Sequence, residues 1–290
     1  MYRLLVPIIA LLCAACPGGT HALAQAADSA LRILQLDVGQ GDAAIVITPE
    51  NRTLLIDAGR SPEAVARALQ ALGIDTLHLV VASHAHADHI GGMPAILATF
   101  PVRAYMDNGI AHTSSIYRRT MAAVEGTGTP YLAATSRNIS LGSLTIRVLS
   151  PPFRNDQNNG SVGLVLEFGD FRALYTGDSE RFALDAWLRR DSVPNVTLVK
   201  VAHHGARNGT SPRWVAATRP RIALISVGPN SYGHPAAQVE WMWSTSGARV
   251  YRTDRQGTIE ILATRDARVV VRTAAGVTDS LTRRVAEREP

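Results

Sequence analysis

Four side chains that can bind metal fall within six residues, in the run His-Ala-His-Ala-Asp-His that ends at His89. The run directly follows an apolar, strand-like segment that ends at Ala82. In extended backbone successive side chains point to opposite faces, so His84, His86 and Asp88 share one side and His89 projects to the other. Imidazole and carboxylate suit zinc, manganese or iron, and paired ions about 3.5–4 Å apart are a recurring means of activating water. The spacing predicts a two-metal hydrolase site rather than a cluster of solvated loop histidines.

Six further segments are short motifs of polar residues, five of which contain glycine. They are Leu36 to Ala43, Leu55 to Gly59, Tyr175 to Asp178, Lys200 to Gly205, Tyr232 to Pro235 and Tyr251 to Asp254. Together with the His-x-His-x-Asp-His signature, they resemble the metallo-β-lactamase superfamily and, within it, the hydrolase domain of ComEC-type competence proteins. The segments follow the order of that family over roughly residues 31–263. Such competence proteins carry this domain beside a large membrane channel, and no part of this sequence could form one.

The resemblance implies how two divalent ions, zinc or manganese, are held. His84 and His86 are expected to bind the first ion, and Asp88 and His89 the second. Asp178 is expected to bridge the two ions. The alternative for Asp178 is a carboxylate that caps the helix following it, and the Thr-Gly-Asp context favours bridging.

Three later histidines are expected to complete the site. The resemblance implies that either His203 or His204 binds the second ion, and we favour His204, leaving His203 to contact substrate or transfer a proton. Asp88 is expected to orient the nucleophile as well as to bind metal. His234, in the Tyr-Gly-His-Pro motif, is expected to donate a hydrogen bond to a phosphoryl oxygen or to protonate the leaving group. The alternative is a structural histidine before Pro235.

One ligand of the wider superfamily is absent from this sequence. Many members supply a further histidine to the first ion just before the strand that begins here at Val162, and this region holds no histidine. ComEC-type domains also tend to have asparagine there. Either Asn159 or water is then expected to face the ion. Because both are weaker neutral oxygen donors, the first ion should be held less tightly.

Several other polar residues of the motifs are expected to support the ligands. Asp37, Gln40 and Asp42 are candidates for orienting the ligand imidazoles. Asp57 is expected to close a turn with Gly59 rather than to contact metal.

The N-terminus indicates export. Arg3 precedes the apolar stretch Leu4 to Ala15, and small residues follow, which fits a secretory signal peptide over residues 1–24. The stretch is too short for a confident membrane span. Lipid attachment at Cys16 is the less favoured alternative. Since Cys13 and Cys16 both lie in this leader, the mature chain is expected to have neither disulfides nor thiolate ligands.

The charge of the chain is mildly positive. The formal net charge is +5 at pH 7, carried mainly by arginine. Arginine forks suit phosphate oxygens, so a phosphate-bearing substrate is compatible with this balance. This excess of positive charge is far smaller than that of a dedicated nucleic-acid-binding protein.

The element pattern predicts one α/β domain over residues 25–275. Apolar β-type segments open the chain as a meander, and helices and strands alternate after residue 180. The resemblance implies the αββα sandwich of the metallo-β-lactamase type, with two mixed sheets flanked by helices and the site at the sheet edge. Residues 276–290 are polar and charged and are predicted to form a solvated tail.

Together these features predict an exported, dinuclear metal-dependent hydrolase acting on a phosphodiester, either extracellular DNA or a smaller molecule. A hydrolase of the same fold acting on a lactam, lactone or phosphocholine-type ester is one alternative. The absence of a histidine just before Val162 and the presence of the Tyr-Gly-His-Pro motif both favour a phosphodiester substrate. The other alternative is a DNA-binding accessory without catalysis, which the intact ligand set opposes.

Overall fold

A computed structural model describes residues 29–282 of the chain. The predicted leader, residues 1–24 with both cysteines, lies outside the described residues. Within the described range, no helix has the length and apolar character that crossing a membrane requires.

Two mixed β-sheets form the centre of the domain. In chain order, the strands of the described residues are β1 (Leu31–Gln35), β2 (Ala44–Ile47), β3 (Thr53–Ile56), β4 (Leu79–Val81), β5 (Tyr105–Asp107), β6 (Tyr131–Ala133), β7 (Arg137–Leu141), β8 (Leu144–Leu149), β9 (Gly163–Phe168), β10 (Phe171–Tyr175), β11 (Leu198–Lys200), β12 (Ile222–Ile225), β13 (Arg249–Arg252), β14 (Ile259–Ala263), β15 (Val269–Thr273) and β16 (Thr278–Leu281). The first sheet has the order β16-β15-β14-β1-β2-β3-β4-β5-β6 and the second β13-β12-β11-β10-β9-β8-β7.

Alternation along the strands divides the apolar residues between two layers. In β3, Leu54 packs into the core shared by both sheets, and Leu55 packs toward the outer helices. In β9, Leu164 and Val165 divide in the same way. Because successive strand residues point to opposite faces, each sheet has two apolar faces, one packed against the other sheet and one against helices.

Helices cover the outer faces of both sheets. They are α1 (Ala64–Ala71), α2 (Ala87–Ile90), α3 (Met93–Thr99), α4 (Ser115–Gly126), α5 (Arg181–Arg189), α6 (Pro212–Thr218), α7 (Ala237–Thr245) and α8 (Thr253–Gln256), with a 3-10 helix at Ala202–Gly205. On the second sheet α5, α6 and α7 each bury one tryptophan, namely Trp187, Trp214 and Trp243. The predicted αββα sandwich is confirmed.

Parallel pairing brings the chemistry-bearing loops to one edge. Strands β3 to β6 run parallel in the first sheet, and β10 to β13 run parallel in the second. The histidine-rich run follows β4, Asp178 follows β10, and His203 and His204 follow β11. Since parallel strands end at the same edge, these loops converge there, as is usual for sites on α/β sheets.

The predicted tail is wrong at its start. Residues 278–281 form β16, which pairs antiparallel with β15 at the edge of the first sheet. Asp279 on this strand accepts a hydrogen bond from Tyr251 (2.5 Å) and forms an ion pair with Arg249 (3.0 Å), both on β13 of the second sheet. The polar sequence of β16 is typical of a half-exposed strand at the edge of a sheet. Residues 283–290 lie outside the described residues.

Candidate metal centre

The histidine-rich run changes conformation part-way along its length. Residues 87–90 form the single turn α2, so the predicted extended alternation is wrong from Ala87 onward. The turn brings the His89 ring to 4.2 Å from that of His84, and the His86 ring lies 4.7 Å from that of His84. All four metal-capable side chains therefore face one small region instead of two opposite faces.

Glycines allow backbone to pack closely against this turn. A Cβ atom on Gly41 would lie 2.3 Å from the carbonyl oxygen of Asp88, and one on Gly91 would lie 2.2 Å from that of Arg60. The amide of Asp42 donates to the same Asp88 carbonyl at 3.1 Å. The glycines in the sequence motifs thus fix the position of α2 relative to the first strands.

Asp178 lies at the centre of the histidine cluster. Its Oδ2 atom is 3.2 Å from His89 Nε2, 3.4 Å from His204 Nε2, 3.7 Å from His203 Nε2 and 3.9 Å from His84 Nε2. The N-cap position of α5 is occupied by a later residue, so the carboxylate is not the helix cap. One carboxylate thus faces four imidazole rings.

The donor set fits a divalent metal. His89 Nε2, His204 Nε2 and Asp178 Oδ1 are buried and have no hydrogen-bond partner. His84 Nε2 faces His86 Nδ1 at 3.0 Å. Unpartnered buried polar atoms are costly, and convergent imidazole and carboxylate donors are the ligands that zinc, manganese and iron take.

Hydrogen bonds to the Nδ1 atoms determine which ring nitrogens face the centre. His89 Nδ1 donates to Asp57 Oδ2 at 2.8 Å, and His204 Nδ1 donates to the carbonyl of Ser226 at 2.9 Å. Asp57 is itself held by the amide and hydroxyl of Ser83 at 2.7 and 2.8 Å. These acceptors leave both Nε2 atoms free for a cation, a common arrangement around metal-binding histidines. Asp57 therefore orients a histidine, a role that the predicted turn did not include.

Asp42 lies on the outer side of the same two imidazoles. Its carboxylate oxygens are 3.7 Å from His89 Nδ1 and 3.5 Å from His204 Nδ1. Although Asp42 could complete a four-residue metal cluster with His89, Asp178 and His204 by proximity alone, it faces the nitrogens turned away from the centre. We assign it an orienting position, in line with the sequence expectation.

The charges of the cluster divide the imidazoles into two groups. Burial, then the charge of His89, holds the pKa of His84 well below its ordinary value. At His89 and His204 burial acts in the same direction, but nearby carboxylates, Asp178 first, outweigh it and raise the pKa well above the ordinary value. Protons must therefore leave these two rings when a cation binds, so metal affinity should fall at low pH.

His203 and His204 occupy an unusual backbone conformation. Their φ angles are 51° and 53°, in the left-handed region that side chains other than glycine rarely adopt. The amide of His203 donates to the carbonyl of Gly177 at 3.1 Å and ties this turn to the Asp178 loop. As a result His204 is buried with Nε2 3.4 Å from Asp88 Oδ2, whereas His203 is half-buried with Nδ1 3.6 Å from Glu180.

Comparison with known proteins identifies the family. The family model described as Metallo-beta-lactamase superfamily matches residues 36–228, more than half of the chain. The chain belongs to this superfamily. The predicted resemblance is therefore confirmed.

Relatives within the metallo-beta-lactamase superfamily include competence proteins. The chain is 29% identical over 250 residues to ComE operon protein 3 of Bacillus subtilis (strain 168), covering 78% of this chain and 32% of that protein. It is 27% identical over 231 residues to Competence protein ComA of Neisseria gonorrhoeae, covering 77% of this chain and 31% of that protein. The chain thus spans about a third of the length of these relatives.

Solved structures agree with the superfamily fold. The metallo-beta-lactamase fold protein YhfI from Bacillus subtilis superposes with a TM-score of 0.55 at 15% sequence identity, covering 80% of this chain and 99% of that one. At this identity the likeness shows the fold alone. The chain is a hydrolase of the metallo-beta-lactamase superfamily, related to competence proteins, with a candidate metal site.

An open cleft of about 360 Å³ leads to the candidate metal site. Its walls include Asp88, Asp178, both histidines after β11 and, from a later loop, His234. The His234 ring lies 5.3 Å from that of His203, and its Nδ1 atom is buried without a hydrogen-bond partner. Burial, then the charges of His203 and His204, lowers the pKa of His234. His234 is thus in the cleft, where the sequence placed it.

The two asparagines before β9, Asn158 and Asn159, have different contacts, and these differ from the expectation. Asn159 Oδ1 accepts hydrogen bonds from the amides of Glu180 and Ala183, both at 3.3 Å, and so caps the start of α5. The Asn158 side chain lines the cleft instead, and its Oδ1 atom is buried without a partner. Because helix capping uses the Asn159 carbonyl oxygen, the expectation that Asn159 faces the first ion is wrong, whereas water at that position stays a prediction.

Gln40 and Asp37 have different surroundings. Gln40 lines the cleft and its Oε1 accepts from the amide of Gly228 at 3.4 Å. Asp37 is exposed and accepts from the amide of Gly39 at 3.1 Å, so it closes a local turn and orients no imidazole.

Lys200 is the residue of the site that sequence reasoning missed. It is the sole lysine of a chain otherwise rich in arginine, and it ends an apolar strand. Its ammonium is buried against the carboxylate of Asp42 and lies 3.9 Å from Asp178 Oδ1. Burial by itself lowers the pKa of Lys200, but Asp42 and then Asp178 outweigh it and raise the pKa. The presence of a single lysine at the end of an apolar strand is the sequence feature that could have identified this residue.

Proposed function

We propose that this chain is an exported, dinuclear metal-dependent hydrolase that cleaves phosphodiester bonds in extracellular DNA or in a smaller molecule. The observation that carries the proposal is the Asp178 carboxylate facing convergent imidazole nitrogens at the end of an open cleft. The relatives named for competence support a nucleic-acid substrate. Arg60 adds positive charge to the cleft wall, which suits an anionic substrate.

Each ligand would keep the position inferred from the family pattern. His84 and His86 would hold one ion, and Asp88, His89 and His204 the other. Asp178 would bridge both, because its carboxylate is the group that faces rings of both sets. Two bound zinc or manganese ions would supply a nucleophile at neutral pH and stabilise charge in the transition state.

The remaining polar groups of the cleft would act on the substrate. Asp88 would orient the attacking water. His203, half-buried beside Glu180, would accept or relay its proton. His234, whose lowered pKa leaves it mostly neutral near pH 7, would donate a hydrogen bond to a phosphoryl oxygen or to the leaving group.

One panel of assays tests the proposal. The metal-loaded chain should contain about two divalent ions by elemental analysis, one of them lost more readily on dialysis against chelator. It should hydrolyse bis-p-nitrophenyl phosphate and at least one of single-stranded and double-stranded DNA. Cleavage of a lactam or a lactone with no turnover of any phosphodiester would contradict the proposed substrate class, and a single ion after reconstitution would contradict the dinuclear assignment.

His234→Ala should separate catalysis from metal binding. We expect turnover of bis-p-nitrophenyl phosphate to fall about a hundredfold, because a donor to a developing charge is removed, while metal content stays near that of the unaltered protein. His204→Ala should instead deplete one ion, and His234→Gln, which keeps a donor, should retain part of the activity. Loss of metal from His234→Ala, or unchanged turnover, would return His234 to a structural role beside Pro235.

A further inference from the structure

A second groove lies beside the metal cleft. It has a volume of about 450 Å³ and shares Tyr232 and His234 with the cleft. Its other walls include Arg181 and Arg207. Because Tyr232 and His234 line both spaces, the groove lies directly beside the cleft, within reach of the next unit of a chain-like substrate bound there.

The groove holds two arginines without an acidic partner. Arg181 Nε donates to the carbonyl of Thr210 at 3.3 Å, and its Nη2 donates to that of Arg207 at 3.1 Å, so backbone alone fixes its guanidinium. Over residues 29–282, neither arginine has a carboxylate within ion-pair distance. Arg252, by contrast, binds the carboxylates of Glu240 and Asp254. A guanidinium that is held in place but not neutralised, like that of Arg181, is suited to bind a phosphate, and the exposed Arg207 adds a second positive charge to the same groove.

Tyr232 lines both the groove and the cleft, on a loop held by hydrogen bonds. Its side chain is 68% exposed. Asn230 organises the loop: its Oδ1 atom accepts from the amides of Tyr232 and His234 at 3.0 and 3.1 Å, and its Nδ2 atom donates to the carbonyls of Gly228 and His234 at 2.8 Å. An exposed aromatic ring with such backbone support can stack on a planar group with little loss of conformational entropy.

We propose that this groove binds the nucleotide next to the scissile phosphate of a single-stranded nucleic acid. Its base stacks on Tyr232, and its outer phosphate lies between Arg181 and Arg207. The inference rests on the proposed phosphodiesterase function and specifies its substrate as a strand with unpaired bases, since a base held in a duplex is not free to stack on a protein ring.

Binding rather than cleavage tests the groove. The probe is a fluorescein-labelled decathymidylate with phosphorothioate linkages, which keeps the backbone charge and resists hydrolysis, titrated with the metal-loaded full chain. Tyr232→Ala should raise Kd about tenfold, as expected from the loss of one stacked base, and Tyr232→Phe should bind like the unaltered protein. Arg207→Ala should raise Kd about tenfold and flatten the salt dependence.

Matched controls come from outside the groove. Trp241 is a 63% exposed aromatic residue on α7, and Arg189 lies two turns beyond Arg181 on α5. Trp241→Ala and Arg189→Ala should leave Kd unchanged. With an abasic decamer the Tyr232→Ala effect should vanish and the Arg207→Ala effect should remain, which separates base stacking from phosphate binding.

The outcomes also separate this inference from the proposed function. If the chain binds the decamer with the expected variant pattern but hydrolyses no phosphodiester, the groove stands and the proposed function fails. If Tyr232→Ala and Arg207→Ala bind like the two controls, or if the unaltered chain does not bind the decamer, the groove assignment is overturned even when phosphodiesters are cleaved. Equal dependence of duplex binding on Tyr232 would overturn the single-stranded specificity.

Discussion

The variant Asp178→Ala should have no measurable hydrolase activity and should bind neither ion tightly. The Asp178 carboxylate lies 3.2–3.9 Å from the nearest nitrogens of His89, His204, His203 and His84. Removing it takes away the group positioned to touch both ions, and it leaves several buried imidazoles without their central acceptor. Elemental analysis after reconstitution, combined with turnover of bis-p-nitrophenyl phosphate, measures both effects.

Two controls distinguish this loss from unfolding. Asp75→Ala changes an exposed aspartate away from the cleft and should keep full activity and metal content. Circular dichroism of Asp178→Ala should show retained secondary structure, because the two sheets and their core do not depend on this side chain. Full activity of Asp178→Ala would contradict the assignment of this carboxylate as a metal ligand.

Lys200→Met should destabilise the fold by about 3–5 kcal/mol. The Lys200 ammonium is buried against Asp42, and burial of an unpaired charge is far more costly than burial of the pair. Methionine keeps the length and apolar stem of lysine, so the effect reports the lost charge rather than a cavity. For a domain of this size the loss corresponds to a fall in Tm of roughly 6–20 °C, measurable by calorimetry.

The double variant Asp42→Asn/Lys200→Met isolates the pair. Since neither charge then remains, the double variant should recover a large part of the lost stability. Arg189→Met, which removes an exposed charge, should change the free energy of unfolding by less than about 0.5 kcal/mol. Equal stability of Lys200→Met and the unaltered protein would show that Asp42 needs no counter-ion.

The local pattern of apolar residues was enough to predict most of the fold. Apolar patterning predicts strands at Leu31 to Val38, Leu144 to Leu149 and Ile222 to Val227, and the structure has a strand in each segment. The sequence also predicts helices over Pro62 to Leu72 and Met93 to Thr99. Helix α3 has the second of these ranges as its bounds. Helix α1 begins at Ala64, two residues after the predicted start, because the residues before it form a turn. These elements carry strong apolar periodicity of their own, which is why sequence alone located them.

Weakly patterned strands were missed for physical reasons. Strands β5 and β6 have three residues each, and β6 and β7 are largely exposed, so they show little hydrophobic alternation. Strand β16 is polar because it lies at a sheet edge. Such strands depend on pairing with neighbours rather than on their own composition.

The sequence by itself determined the metal-capable residues of the site, because the histidine run and the later motifs are short and local. Only the tertiary structure decided how they are oriented. Asp57 and Lys200 gained their roles through contacts with His89 and Asp42, which lie far from them along the chain. The left-handed turn that separates His203 from His204 is likewise set by packing. Such long-range contacts leave no local periodicity, so even the lone lysine at the end of an apolar strand does not indicate which carboxylate it contacts.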